Sequence, residues 1–402
     1  MKRVLFVIVL SSLIAAGCGS KKEVVITGLA TGKPDLKSLV YSTPLSGTSY
    51  FGFADTINLD EAGNFELKFE INKPVFITVS NSEPRLSAKL LVEPGNNYHI
   101  VMDISQKDIQ ISGANEKGQM LYATLPNPFA IEMEVRKLKL SQDSSLVSIH
   151  NKIEELKQSD ISKFKELLDK EEISKSFFNL VKTDRDCYYA SLEARTSITK
   201  SHRVLETKQS VLPSGGNLLE NLTEIYTQYP PNDEKLLFSS FWKEYAENYV
   251  KYHKQYIQED FDIEKIRELN KQQTINTFYI DESKKYLTGK ALEFFQATHI
   301  YFTGLRHDYE KELIALYAQF VKDYPDSEYS KYLKPEIDEI VQYHQAIEKP
   351  FDDSMRFVDN YENINTLEEA IKPLKGKKIY IDVWATWCSP CKQEFKHQKA
   401  LK

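Results

Sequence analysis

Residues 65–71 read Phe65-Glu66-Leu67-Lys68-Phe69-Glu70-Ile71, so that apolar side chains alternate with charged ones. Successive side chains of a β-strand point to opposite faces of a sheet, and this period of two therefore predicts a half-buried strand. The turn cluster Asp60-Glu61-Ala62-Gly63-Asn64 precedes it, and Pro74 separates it from Val75-Phe76-Ile77-Thr78-Val79, where the alternation resumes. The region thus predicts two short strands bounded by turns.

Similar short patterns continue on both sides of these two strands, from residue 24 to about residue 113. Their apolar residues lie at Val24-Val25-Ile26, Leu39-Val40-Tyr41, Leu90-Leu91-Val92, Tyr98 to Ile104 and Ile109 to Ile111. Several short strands at this spacing, separated by turn signals such as Pro94-Gly95, are typical of an antiparallel β-sandwich. We therefore predict a β-sandwich domain over residues 24–115.

Helical patterns replace the strand patterns from residue 116 to residue 365. The clearest one has apolar residues at Leu313, Leu316, Tyr317, Phe320 and Val321, which share one face of a helix. We expect this helix to end near Tyr324-Pro325, because proline disfavours helical backbone in the residue before it. We predict a helical middle domain over residues 116–365, and the fold class as a whole is multidomain α+β.

Composition limits the classes of protein that the chain can belong to. The chain has 402 residues, of which 41% are hydrophobic and 27% charged, and its formal net charge is −6. This acidic balance argues against a nucleic-acid-binding surface spread over the whole molecule, and no nucleic-acid partner is expected. Its four cysteines are too few for a fold that is stabilised mainly by disulfides.

The N-terminus has the pattern of a targeting segment. Lys2 and Arg3 precede an apolar run from Val4 to Ala16, which is shorter than the about 20 residues that a membrane span needs. The run leads to Ala15-Ala16-Gly17-Cys18, which resembles the lipobox of bacterial lipoproteins. That resemblance implies a signal peptide over residues 1–17, lipidation of Cys18 and, with Gly19 next, an outer-membrane anchor facing the periplasm. An ordinary signal peptide with an incidental cysteine is the alternative.

The C-terminal residues contain the motif that points to chemistry. Ile379-Tyr380-Ile381-Asp382-Val383-Trp384 has the β-branched and aromatic residues of a buried strand, and Ala385-Thr386-Trp387-Cys388-Ser389-Pro390-Cys391 follows it. We expect a helix to begin at Cys388, where free N–H groups and the helix dipole favour a thiolate. That thiolate would attack a substrate disulfide, and Cys391, one turn later, would resolve the mixed disulfide. Pro390 is compatible with the first turn of a helix.

The block Asp-x-Trp-Ala-x-Trp-Cys-x-Pro-Cys resembles the active-site segment of TlpA/ResA-like thiol–disulfide oxidoreductases of the thioredoxin superfamily. The resemblance implies that Asp382 is a buried acid that relays a proton, that Trp387 shields the nucleophile and that Trp384 packs behind the strand. Core packing alone would also account for Trp384. The N-terminal layout likewise resembles a β-rich domain of unknown function that is often fused ahead of thioredoxin-like domains in lipoproteins.

The resemblance also implies partners, namely extracytoplasmic protein disulfides or thiols and a membrane thiol that donates electrons, with no dissociable cofactor. Zinc binding is the main alternative to a redox role for the two cysteines, but a structural zinc site needs four ligands. His397 could be a third ligand and no fourth one lies nearby, while Cys187 is far along the chain in a helical stretch. We therefore expect no metal, and a purely structural Cys388–Cys391 disulfide remains a further alternative.

Residues 366–402 would supply only the start of a thioredoxin-like α/β domain, because the fold needs further strands and a cis-proline loop. We expect the chain to be a fragment; a short protein whose tail packs on the helical domain is the other possibility. The sequence therefore leaves open whether the chain is itself an enzyme. The second functional hypothesis is a non-enzymatic envelope lipoprotein, or an inactive fragment, whose β and helical domains bind a partner.

Overall fold

The computed structural model describes residues 21–42, 54–125, 131–206, 218–257, 263–348 and 361–385, together with Cys388, Cys391, Glu394 and Phe395. The chain divides into two compact units, Met1–His344 and Gln345–Lys402. The larger unit is mixed α+β, with strands first and helices after them. This order confirms the α+β class.

Two four-stranded sheets form the β part, in the orders β4-β1-β7-β8 and β3-β2-β5-β6. The strands are β1 (Lys22–Thr31), β2 (Ser38–Ser42), β3 (Ala54–Asn58), β4 (Asn64–Ile71), β5 (Val75–Asn81), β6 (Leu86–Val92), β7 (Asn97–Asp103) and β8 (Asp108–Gly113). The alternating segments at 65–71 and 75–79 are strands β4 and β5, as predicted. Strand β3 was missed, because Ala54-Asp55-Thr56-Ile57-Asn58 has no alternating apolar pattern.

Side chains from both sheets share one hydrophobic core. Val24 and Ile26 of the first sheet and Ile77 and Val79 of the second are fully buried in the same cluster. The expectation of a wholly antiparallel arrangement is wrong at one place, because β1 pairs in parallel with β7, with Ile26 opposite Tyr98. Alternation of side chains predicts which face of a strand is buried, but it carries no information about the direction of a neighbouring strand.

The second sheet is also covered on its other face, where it meets the helices. Phe76 and Leu91 are fully buried in a separate cluster with Tyr122, Phe164 and Phe177, which come from helical segments. Adjacent residues of a strand point to opposite faces, so Phe76 faces the helices while Ile77 faces the sheet core. This explains why apolar residues run almost continuously along β5 and the end of β6.

Helices follow the strands along the described chain. They are α1 (Glu116–Ala123), α2 (Ile131–Leu140), α3 (Leu146–Asp169), α4 (Lys175–Glu206), α5 (Leu218–Gln228), α6 (Trp242–Tyr252), α7 (Ile263–Lys271), α8 (Ile275–Tyr286), α9 (Gly289–Gly304), α10 (Glu312–Asp323) and α11 (Ser330–Ile347). Helix α10 ends immediately before Tyr324-Pro325, as predicted, and a 3₁₀ turn at Glu234–Phe238 lies between α5 and α6. Within the described ranges, no helix combines the length and hydrophobicity that a membrane span requires.

A side-chain amide of helix α1 covers the edge strand β6. The amide nitrogen of Gln119 donates to the carbonyl oxygen of Leu91 at 2.7 Å, and the backbone N–H of Leu91 donates to the Gln119 amide oxygen at 3.0 Å. The amide thus forms the two hydrogen bonds that a further strand would offer at this residue. Because an open edge exposes unpaired backbone groups, this pairing stabilises the contact between sheet and helix.

A fully buried ion pair lies at the same junction. The side chains of Asp184 and Arg185 of helix α4 have no exposed surface. They form an ion pair, with 2.5 Å between Arg185 Nη2 and Asp184 Oδ2. The hydroxyl groups of Tyr122 and Ser239 also donate to the Asp184 carboxylate, each at 2.8 Å. Burial favours the neutral acid, but Arg185 and Lys89 outweigh burial and hold the pKa of the Asp184 carboxyl below its usual range.

Lys89 brings a second positive charge to this junction from strand β6. Its Nζ atom lies 4.5 Å from the centroid of the Phe76 ring and 3.5 Å from the Tyr122 hydroxyl oxygen. Burial lowers the pKa of Lys89 to about 8, although the nearby Asp184 carboxylate acts in the opposite direction. Burying the charged ammonium group of Lys89 therefore costs free energy, and its contacts with the Phe76 and Tyr122 rings offset this cost only in part.

Replacing one member of the buried pair should destabilise the fold strongly. We expect Asp184→Ala to lower the free energy of unfolding by about 3–5 kcal/mol, because Arg185 is left as an uncompensated buried charge. The matched control is Asp281→Ala, which breaks the exposed Lys284–Asp281 pair and should cost below about 1 kcal/mol. Urea unfolding of both variants measures the two values, and equal costs would contradict the argument.

Lys89 should make stability depend on pH between about 8 and the ordinary lysine pKa of 10.5. Below this window Lys89 is protonated in both the folded and the unfolded state, and the folded state carries the full cost of burying its charge. Within the window Lys89 loses its proton first in the folded state, so the free energy of unfolding rises with pH. Since Lys89 keeps some exposure, we expect the rise to be about 1–3 kcal/mol. It should be measurable as the difference in unfolding free energy between the wild type and Lys89→Met at pH 7 and pH 10.5.

The control for this pH dependence is Lys163→Met, because Lys163 is exposed on helix α3. The difference between the wild type and this control variant should be the same at both pH values. If Lys89→Met also showed no change of that difference with pH, Lys89 would not be the group responsible.

Candidate functional site

Cys388 and Cys391 form a disulfide, with 5.3 Å between their Cα atoms. The backbone N–H of Cys391 also donates to the Cys388 sulfur at 3.3 Å. Among the described residues of this segment, Cys391 and Glu394 have helical backbone whereas Cys388 does not. The two sulfurs are therefore brought together by a separation of three residues at the point where helical backbone begins.

The chemistry available to this pair is thiol–disulfide exchange. A helix N-terminus offers unpaired N–H groups, and these stabilise a thiolate on the sulfur that lies beside them. Cys388 and Cys391 are both half-buried residues, so neither is fully enclosed by the described part of the chain. An intact disulfide at such a place can accept two electrons and return two thiols.

A well-capped short helix, α12 (Leu367–Ile371), lies upstream of the cysteines and follows a 3₁₀ turn at Tyr361–Asn363. The Thr366 hydroxyl oxygen accepts from the backbone N–H of Glu369, and the Glu369 carboxylate accepts from the backbone N–H of Thr366. This reciprocal capping box satisfies two of the backbone N–H groups at the start of the helix. A short 3₁₀ turn, Lys372–Leu374, follows it.

The expected buried strand over Ile379–Trp384 does not form in the described part of the C-terminal unit. Tyr380 is 73% exposed and Val383 is 85% exposed, and this run pairs with no described strand. A β-strand becomes buried only when neighbouring strands or helices cover it, and local residue preference cannot supply them. The β-branched and aromatic residues of this run predicted a buried strand, whereas the run is exposed.

Two of the predicted supporting residues can be located in this run. Asp382 is exposed rather than buried beneath the cysteines, because no described element covers the backbone around it. Trp384 is half exposed and makes an edge-to-face contact with Phe395, with 5.1 Å between the ring centroids. Trp387, Pro390, the lipidation residue Cys18 and the potential ligand His397 lie outside the described residues.

Cys187 is a further cysteine among the described residues. Its side chain is fully buried in helix α4 as a free thiol, in agreement with the prediction of a core residue. Burial raises the pKa of the Cys187 thiol well above its ordinary value, so the reactive thiolate is suppressed.

One group that sequence spacing could not reveal lies at the surface of the larger unit. His307, Glu336 and Glu339 bring possible metal-ligating atoms within 4.8 Å of one another. The His307 Nδ1 atom already lies 3.4 Å from a Glu339 carboxylate oxygen, and the Tyr309 hydroxyl donates to that same oxygen at 3.0 Å. These contacts account for the cluster without a metal ion, and we assign none to it.

Comparison with family models, with curated proteins and with solved structures finds no match to this chain. The functional interpretation therefore depends on the chemistry of the described residues and on the motif around the two cysteines.

The three cysteines Cys187, Cys388 and Cys391 should differ sharply in reactivity. After mild reduction of the folded chain, we expect a maleimide to label Cys388 and Cys391 at least about 100-fold faster than Cys187, because burial removes both access and thiolate. Peptide mass spectrometry assigns the labels, and unfolding in urea should abolish the difference. Rapid labelling of Cys187 in the folded chain would contradict this assignment.

Proposed function

We propose that this protein is a thiol–disulfide oxidoreductase of the cell envelope that works through Cys388 and Cys391. The observation that carries the proposal is the disulfide between these residues, closed across two intervening positions at the start of helical backbone. The surrounding Trp-Ala-Thr-Trp-Cys-Ser-Pro-Cys sequence supports a redox role over a purely structural one, since it resembles the active-site segment of TlpA/ResA-like proteins.

The reaction can be written as two exchange steps. In the reduced protein the Cys388 thiolate attacks one sulfur of a client disulfide, which forms a mixed disulfide and releases the other client sulfur as a thiolate. The Cys391 thiolate then attacks the Cys388 sulfur, which closes the Cys388–Cys391 bond and releases the second client thiolate. The client gains two electrons and the protein loses two, so a membrane thiol donor must reduce the pair again.

The remaining parts of the proposal concern architecture and location. We propose that the two sheets form a β-sandwich and that residues 366–402 belong to a thioredoxin-like domain, in which Asp382 and Trp387 serve the exchange. The Ala15-Ala16-Gly17-Cys18 sequence supports a lipid anchor at Cys18 and a periplasmic location at the outer membrane. Several buried acyl chains would make such an anchor firm, at about 0.8 kcal/mol for each CH₂.

Insulin reduction by dithiothreitol tests the proposed exchange directly. We expect the chain to accelerate it and Cys388→Ser to abolish the acceleration, because the attacking sulfur is lost. In a separate mixture without dithiothreitol, which would cleave the bond, the pre-reduced Cys391→Ser variant should accumulate a mixed disulfide with insulin, and non-reducing electrophoresis detects it. Cys187→Ser is the matched control and should retain the wild-type rate, since the Cys187 side chain is fully buried.

Two results would overturn the proposal. One is a Cys388→Ser variant that is as active as the wild type, and the other is a Cys391→Ser variant that traps no mixed disulfide. Either result would favour the alternative, in which the protein is a non-enzymatic envelope lipoprotein that acts through its β and helical parts.

A further inference from the structure

A cleft of about 600 Å³ lies in the larger unit, where the turn between β4 and β5 meets three helical segments. The turn contributes Lys73 and Pro74, and the other walls come from α4, the 3₁₀ turn at Glu234–Phe238, the start of α9 and the loop between α10 and α11. This volume falls within the range of ligand-binding clefts. Neither Cys388 nor Cys391 is among the residues that line the cleft.

The base of the cleft is apolar and partly buried. Leu180, Leu237, Phe238 and Tyr329 line it, and none of them is fully buried. Phe238 also stacks on Phe76 of the sheet, with 4.7 Å between the ring centroids, which holds this surface in place. Such a base would bury an apolar side chain from a partner.

One wall of the cleft presents uncharged hydrogen-bonding groups in a row. Ser176, Asn179 and Thr183 line it, and they come from successive turns of α4 at spacings that place them on one face. Hydroxyl and amide groups can both donate and accept hydrogen bonds. The row therefore suits a partner that exposes both N–H and C=O groups along its length.

Charges of both signs surround the base. Lys73, Lys235 and Lys290 contribute positive charges, and the negative charges come from Glu234, Glu293, Asp326 and Glu328. Only Lys290 and Glu234 form an ion pair with each other, at 3.1 Å; in the described parts of the chain the other five charged residues form no ion pair. A polyanion or a purely apolar ligand would leave part of this charge uncompensated.

We propose that this cleft binds an extended segment of polypeptide that carries both acidic and basic side chains. An apolar side chain would enter the base between Leu180 and Phe238, and the backbone would hydrogen-bond with the Ser176, Asn179 and Thr183 wall. Charged side chains of the segment would pair with the free charges of the rim. Nucleic acid is disfavoured because the rim has more acidic than basic groups.

The test uses the full chain with Cys388→Ser and Cys391→Ser, so that no thiol exchange contributes to binding. The probe is fluorescein-labelled α-lactalbumin that has been reduced and carboxamidomethylated, an unfolded polypeptide with both charge signs and no free thiol. Fluorescence anisotropy measures its affinity. We expect saturable binding, weakened by about tenfold or more when Asn179→Tyr fills the cleft from its exposed wall.

The matched control is Asn151→Tyr, an exposed asparagine of helix α3 outside the cleft, which should bind the probe as the parent does. Thermal unfolding confirms that both variants are folded. The proposal is overturned if the parent does not bind the probe, or if Asn179→Tyr binds it as tightly as the parent. Insulin reduction by the wild type is measured separately, so a failure of the cleft and a failure of the redox proposal are distinguishable.

Discussion

The buried pair of Asp184 and Arg185 sets the strongest constraint on this structure. Two charges that are shielded from solvent need hydrogen-bonding or charged neighbours. Around Asp184 these neighbours come from distant parts of the chain: Tyr122 from helix α1, Ser239 from the loop before α6 and Lys89 from strand β6. Ring faces complete the surroundings, with the Arg185 guanidinium carbon 4.8 Å from the Tyr188 centroid. Separation of the sheet from the helices would expose these charges or remove their partners. The sheet and the helices therefore stabilise each other.

The packing of helices on the second sheet explains the residue pattern of that sheet. A sheet that faced water on one side would show polar residues at every second position, whereas β5 buries both Phe76 and Ile77. Phe76 packs against helical residues and Phe238 stacks on it, and the exposed side of that contact is the base of the cleft. The cleft therefore rests on the same junction as the buried pair, which gives it a rigid base within the larger unit.

The sulfur chemistry depends on a different and much more local constraint. Cys388 and Cys391 are three residues apart, with helical backbone at Cys391, and they form a disulfide. That local geometry needs no help from the rest of the chain, and it could be predicted from the motif alone. The surroundings that the motif implies, with a buried Asp382 and a covered strand, need partners from elsewhere and are not found among the described residues.

Local patterns were enough to predict the α+β class, strands β4 and β5, the end of α10 before Pro325 and the pairing of Cys388 with Cys391. Each of these depends on residues within a few positions of one another. Tertiary structure alone decided that β1 runs parallel to β7, that Asp184 and Arg185 are core residues and that Asp382 is exposed. The physical reason is that periodicity reports which face of an element is apolar, whereas burial of a charge and strand direction depend on partners far away in sequence.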